Sequence, residues 1–305
     1  MAVHASYLVN LAGPDPAFRA SSIDVVASDM SAAIGYGARI VNVHTGSHRE
    51  TSVEAGIERV ATGVSEVLRR ERRSRDGCAE REHCEVGDGS RAEEEPVLTL
   101  ENAAGGGSSI GTTIEELARI AERAAALGVA ERRLAFCLDT AHAWGAGIAM
   151  DDPDAIDRWL ETFDRELGLS RLVLIHLNDS RTERGSRTDR HIHVGAGQIG
   201  PRGLAHLLGH PRLRDVPFVL ETPGMEEGYD RINLERCRML LAGEPLPTLP
   251  EAAFHLSRRA LASAPAADDV ERATTPRRPS DPGRARGSQR PRNAARSHNA
   301  ARSRP

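Results

Sequence analysis

Five short apolar runs are spaced along the chain: ARIVNVH (38–44), PVLTLEN (96–102), LAFCLDT (134–140), LVLIHLND (172–179) and PFVLETP (217–223). Longer segments with helical periodicity lie between them, among them TIEELARIAERAAALG (113–128), which has Gly at its stop, and DDPDAIDRWLETFDREL (151–167), which has Asp and Pro at its start. This alternation is the strongest constraint on the fold. Buried strands separated by helices cannot form tight hairpins, so they lie parallel, covered by helices, in an open doubly wound sheet or a closed (β/α) barrel.

The residues that end the runs distinguish these two. His44, Glu101, Asp139, His176 and Glu221 each stand at or near a run's C-terminal end, and all are of metal-ligating type. In a barrel those ends form one ring, so residues distant in sequence meet at a single site, whereas an open sheet spreads them along a line. Five coincidences favour the barrel. His142 follows Asp139 by three positions, Asp189 and His191 stand two apart in TDRHIH, and His4 lies near the start. Two residues apart in extended chain face the same side, so Asp189 and His191 can grip one ion together. Imidazoles and carboxylates without thiolate suit zinc, manganese or iron in a catalytic site. Several ions sharing carboxylates suit hydrolysis of phosphate esters.

The segments VHASYL, NVHTGSH, LENAAGGGSSIG, CLDTAHAWGAG, HLNDSRTERGSRTDRHIHVGAGQIG and VLETP resemble the endonuclease IV family of apurinic/apyrimidinic endonucleases over roughly residues 3–242. The resemblance implies an α/β fold, a (β/α)8 TIM barrel of the xylose-isomerase-like type that is N-terminally incomplete, with about strands 3–8 present. It implies three divalent metal ions, zinc or in some positions manganese or iron. His4, His44 and Glu101 hold the first; Glu101 bridges to a second held by Asp139, His176 and Glu221; His142, Asp189 and His191 hold the third. The implied substrate is double-stranded DNA with abasic sites or blocked 3′ ends. Cleavage falls on the 5′ side of the abasic site, with Glu101 as the catalytic carboxylate that positions the attacking water and Tyr7 probing the distorted duplex. Arg190, between two ligands, is a further candidate for phosphate contact. Ala196 stands where the family has an acidic residue. Two competing expectations are a sugar isomerase or epimerase using Glu101, Asp139, His176 and Glu221 on the same barrel, and an inactive truncated remnant. The family is usually monomeric, but without strands one and two the sheet keeps two open edges, so self-association is expected.

The barrel is expected over 1–255, with a charged, aperiodic insertion at 71–96 and a disordered Arg/Pro-rich tail at 256–305. Cys78, Cys84, Cys137 and Cys237 show no disulfide spacing, and Cys78, His83 and Cys84 lack the fourth ligand of a zinc clip. His48, His206 and His210 read as surface or cap histidines. No apolar run reaches membrane-spanning length and no signal peptide opens the chain, so a cytoplasmic location without membrane partners is expected.

The 305 residues carry a net charge of −4, and from Pro276 onward nine Arg face one Asp. Removing that +8 leaves the remainder at −12, which does not by itself attract phosphate. Every basic residue is Arg and none is Lys, so coding bias also accounts for the tail's composition. If the tail binds DNA, deleting residues 276–305 lowers the slope of log affinity against log salt, because Arg contacts to phosphate act through counterion release. An unchanged slope leaves coding bias as the explanation.

Overall fold

The computed structural model describes residues 1–79 and 95–255. Five strands follow the sequence closely: β1 (Ala2–His4), β2 (Ile40–His44), β3 (Val97–Glu101), β4 (Leu134–Asp139) and β5 (Leu172–His176). A short antiparallel hairpin, β6 (Asp179–Ser180) with β7 (His191–Ile192), precedes the last parallel strand, β8 (Phe218–Val219). The sheet runs β1-β2-β3-β4-β5-β8 and every pairing in it is parallel.

Helices fill the crossovers: α1 (Pro16–Tyr36), α2 (Val53–Ala79), α3 (Ile114–Ala126), α4 (Thr140–Gly145), α5 (Pro153–Leu167) and α6 (Gly200–Gly209), with α7 (Tyr229–Ala242) after β8. Their boundaries are set by local chemistry. Asp15 caps α1 through the amides of Ala17 and Phe18, and Pro16, which has no amide to leave unpaired, takes the first position. Asp152 and Pro153 open α5 in the same way. Thr113 caps α3, while Glu116 reaches back to the amides of Gly111 and Thr112.

The core lies between the sheet and these helices. Val41, Val43, Leu98, Leu100, Phe136 and Leu138 from the strands are buried against Ile57, Val60 and Val64 of α2, Leu117 and Ile120 of α3 and Leu160 and Phe163 of α5. Parallel register brings the strand ends level: His44 pairs across from Glu101, and Asp139 from His176. The sheet also curls. His4 on one edge strand and Glu221, just past the other, bring ligand atoms within 4.8 Å of each other and of His176. Among the described residues β1 and β8 each have one neighbour, so this is the incomplete barrel that the sequence implies.

The expected insertion starts later than its charge suggested. Helix α2 continues to Ala79, because the Arg and Glu of RRERRSR are good helix formers and pair along the helix, Arg70 with Glu66 at 2.7 Å. Glu71 is buried and meets the buried Arg133 at 3.0 Å, while Glu95 holds that guanidinium from the other side at 3.0 Å. Residues 80–94, the rest of the insertion, and the tail at 256–305 lie outside the described residues. Since removing one partner strands a buried charge, Glu71→Ala is expected to cost about 3 kcal/mol in urea unfolding, the low end for such pairs because Glu95 remains. Arg69→Ala, which breaks an exposed pair, should cost under about 1 kcal/mol.

Candidate metal centre

All nine residues singled out as ligands gather at the C-terminal mouth of the curled sheet. His4, His44, Glu101, Asp139 and His176 are the last residues of β1 to β5. Glu221 stands two residues past β8, Asp189 and His191 come from the β6–β7 hairpin, and His142 lies in the first turn of α4. Asp139 also serves as the N-cap of α4, where its Oδ1 accepts the His142 amide at 2.7 Å. One carboxylate thus fixes the helix that carries the next imidazole.

Three of the imidazoles have their tautomer set by backbone. The Nδ1–H of His4 donates to the Ala5 carbonyl at 2.7 Å, that of His142 to Asn102 at 2.9 Å and that of His191 to Glu221 at 3.0 Å. Each leaves an Nε2 lone pair aimed into the mouth, the arrangement in which histidine ligates metals. There two nitrogen-to-carboxylate separations are short, His191 Nε2 to Asp189 Oδ1 at 2.9 Å and His142 Nδ1 to Glu101 Oε1 at 3.0 Å, and the others are longer. His4 Nε2 lies 3.3 Å and His44 Nε2 3.5 Å from Glu101 Oε2; His176 Nδ1 lies 3.3 Å from Glu221 Oε2; His142 Nε2 lies 3.3 Å from Asp189 Oδ2; His191 Nε2 lies 3.6 Å from Asp139 Oδ2. Zinc bonds of about 2.0–2.1 Å in a tetrahedron put ligand atoms roughly 3.3 Å apart. Most contacts of the mouth therefore have ligand-to-ligand spacing, longer than good hydrogen bonds. His176 Nδ1 is buried there no nearer than 3.3 Å to a carboxylate, and Glu101 Oε1 meets only His142 Nδ1, at 3.0 Å, a nitrogen whose proton also serves the Asn102 carbonyl; such groups are costly unless a cation satisfies them. The residues present fit a set of divalent ions.

The electrostatics agree. Burial works against an ionised Glu101, yet hydrogen bonds from His142, His176 and His4 outweigh it and hold the carboxyl well below its usual range. Burial also opposes charge on His191, but Asp139 and Asp189 raise it to about 9. His142 is raised well above its ordinary value through Asp139, Asp189 and Glu101 against the same burial. These protons stand in for cations, and metal binding releases them.

Sequence reasoning missed the amides that hold the carboxylates. Asn42 donates to Glu101 Oε2 at 2.5 Å. The Oδ1 of Asn102 accepts the Asp139 amide at 2.7 Å. Asn178 donates to Asp139 Oδ2 at 2.6 Å and to Glu221 Oε2 at 3.3 Å, and accepts the Glu221 amide at 2.9 Å. The signal was present: Asn102 follows Glu101, and Asn178 follows His176 by two. Cys137 is a buried thiol, pushed up to about 12 by burial, and so stays a neutral neighbour of His176. Of the other histidines, His48 is half-buried, while His206 and His210 meet Asp157 on the outer helical layer. The clip of Cys78, His83 and Cys84 falls outside the described side chains.

Beside the centre opens a groove of about 360 Å³ lined by Tyr7, Leu8, Asn10, Phe18, Arg49 and Glu101, among others. Tyr7 is 78% exposed, which rules out a packing role, and Leu8 is 64% exposed. Arg190 is exposed between its two neighbours at the mouth.

Residues 1–240 match the family described as the xylose isomerase-like TIM barrel. A "Probable endonuclease 4" of Solibacter usitatus is 39% identical over 247 residues, 81% of this chain and 77% of that protein. The crystal structure of endonuclease IV from Thermus thermophilus superimposes with a TM-score of 0.62 at 37% identity, covering 79% of this chain and 76% of that one. A D-tagatose 3-epimerase-like protein shares the fold, with a TM-score of 0.55 at 17% identity over 79% of this chain and 78% of that one. The chain belongs, within the xylose isomerase-like barrels, to the endonuclease IV family.

Because Asn178 orients two carboxylates without itself ligating, Asn178→Ala should weaken metal retention about 10–100-fold in chelator competition while leaving the circular dichroism unchanged. Retention equal to wild type would show that Asp139 and Glu221 are held without it.

Proposed function

We propose that this chain is a metal-dependent DNA-repair endonuclease that hydrolyses the phosphodiester 5′ to an abasic site and trims blocked 3′ ends of double-stranded DNA. The observation that carries this reading is the convergence of nine imidazole and carboxylate ligands, from every strand of the curled sheet, on one mouth beside an open groove. Its relatives' names supply the reaction class. Bound divalent ions supply Lewis acidity and positive charge for the phosphate. Three would bring six positive charges against the four carboxylates Glu101, Asp139, Asp189 and Glu221, making the mouth attractive to DNA in an otherwise acidic body.

The protein's own groups divide the remaining work. Glu101 Oε2 is fixed by Asn42, whereas its Oε1 meets only His142 Nδ1, at 3.0 Å and already bonded to the Asn102 carbonyl, so it keeps a lone pair that can accept a hydrogen bond from the attacking water and orient it at phosphorus. Tyr7 and Leu8 stand out from the groove as apolar surface against which a base or sugar can stack. Arg190, exposed between Asp189 and His191, is a candidate for contact with a backbone phosphate. These 305 residues contain no lysine, so strand scission by β-elimination through a lysine Schiff base is closed to them. A sugar isomerase or epimerase site needs Glu101, Asp139, His176 and Glu221 but gives no reason for the other five ligands.

Elemental analysis of the folded protein should find about three divalent ions at the mouth. On an abasic duplex, Glu101→Gln should lower kcat roughly 10²–10⁴-fold, as expected for loss of a positioned base. Tyr7→Ala should chiefly raise KM, by the equivalent of about 1–3 kcal/mol of stacking. Equal losses in the two variants, or one ion or none, would overturn the reading, and turnover of a ketose in place of DNA would install the isomerase alternative.

A further inference from the structure

A second group of metal-ligating side chains lies outside the mouth, on the outer layer of helices. His206 is in the last turn of α6, and His210, four residues on, is the helix C-cap. Spacing of four places both imidazoles on one side of the helix end. Facing them is Asp157 of α5. His206 Nε2 lies 2.6 Å and His210 Nε2 3.4 Å from the same oxygen, Asp157 Oδ1, and the two rings meet edge to face with centroids 5.4 Å apart. One ligand atom from each residue falls within 4.8 Å of the other two.

We propose that Asp157, His206 and His210 bind a divalent transition-metal ion of the zinc class, clasping α5 to α6 at a site separate from the mouth and independent of what the mouth binds. Two imidazoles and a carboxylate are a donor set that zinc, cobalt or nickel accepts readily, with water completing the shell. The His210 separation of 3.4 Å is already close to the roughly 3.3 Å between ligand atoms around tetrahedral zinc, and His206 needs to open by about 0.7 Å to match.

The charge state also suits an ion. Burial holds His210 below its ordinary value, so the ring is neutral and can donate a lone pair. Hydrogen bonding from His206 holds Asp157 ionised. The arginines of this surface turn elsewhere: Arg158 and Arg202 to Asp152, and Arg212 to Asp164. Asp157 is left facing imidazoles. Two contacts must be given up: the hydrogen bond that His206 Nε2–H donates to Asp157 at 2.6 Å, since that nitrogen must lose its proton to ligate, and the bond that His210 Nδ1 accepts from the Arg212 amide at 3.2 Å, since Nδ1 has to carry a proton once Nε2 holds metal. The site should therefore bind more weakly than the mouth, where backbone carbonyls already set the tautomer that ligation requires.

The test compares zinc stoichiometry in the full 305-residue protein and its variants, by calorimetric titration and by elemental analysis after equilibration at fixed free zinc. His206→Gln/His210→Gln and, separately, Asp157→Asn should each bind one equivalent fewer than wild type. Affinity at the lost site should fall by more than the roughly 10–100-fold typical of losing a group that only orients a ligand. Because the readout is a difference of one equivalent, it holds however many ions the mouth takes. Wild-type protein labelled with 15N-histidine gives a reading that does not depend on any variant folding. As the weakest equivalent is added, the ring nitrogens of two histidines should shift together. Equal stoichiometry in wild type and variants, or rings that do not respond to zinc, would show the cluster to be a hydrogen-bonded staple between helices and overturn the proposal.

Discussion

Two carboxylates, Glu101 at 1% exposure and Asp139 at 0%, sit at the ends of neighbouring central strands with little water to solvate them. An isolated buried carboxylate costs several kcal/mol, so a chain that places two there needs positive charge in the same space. The rest of the mouth answers that need. Glu101 Oε2 is ringed by the imidazoles of His4, His44 and His176, and Asp139 faces His191 and His142. Protonated imidazoles balance the charge only in part and with poor geometry, as His176 Nδ1, no nearer than 3.3 Å to any of three carboxylates, records. Divalent ions satisfy the same groups at the spacing already built. Folding and metal affinity are thus two expressions of one electrostatic demand.

That arrangement depends on stiffness, which the neutral amides supply. Asn42, Asn102 and Asn178 add hydrogen bonds without adding charge, so they fix the carboxylates while leaving them fully available to cations. Asn178 ties Asp139 at the end of β4 to Glu221 beyond β8, across β5. The helix cap made by Asp139 extends the same network to His142. A shift of any one strand by a residue would break several of these bonds together, so the site also specifies the parallel register.

Much of this was legible in the sequence for a physical reason. Parallel register makes the end of each apolar run a point on one rim, so His44, Glu101, Asp139 and His176 could be placed together without knowing any contact. Spacing alone singled out His142, Asp189 and His191, whereas the division of the ligands among three ions rests on the family resemblance, because hairpin and helix-start residues carry no such coordinate. The reading failed where tertiary pairing overrode composition. A charged stretch at 71–79 looked solvated but is helical, and its Glu71 is buried against Arg133, a partner far along the chain. The pairing of Asp157 with His206 and His210 was hidden likewise, since only the packing of α5 on α6 brings them into contact.

The centre also lies where the sheet is least complete. β1 and β8 are its two edges, and each has a single neighbour among the described residues. Yet His4 at the end of β1 and Glu221 after β8 converge on His176, so the ligands span the gap that strand pairing leaves open. Ions held between these residues would join the edges where, among the described residues, no backbone ladder does. Metal bound at this mouth would therefore help to close the fold, and by linkage it would stabilise the curled state over any state in which the edges part. The edge strands are also the shortest of the parallel sheet, three residues in β1 and two in β8, so they bring the fewest hydrogen bonds of their own. The ligands at their ends carry correspondingly more of the work of holding them in place.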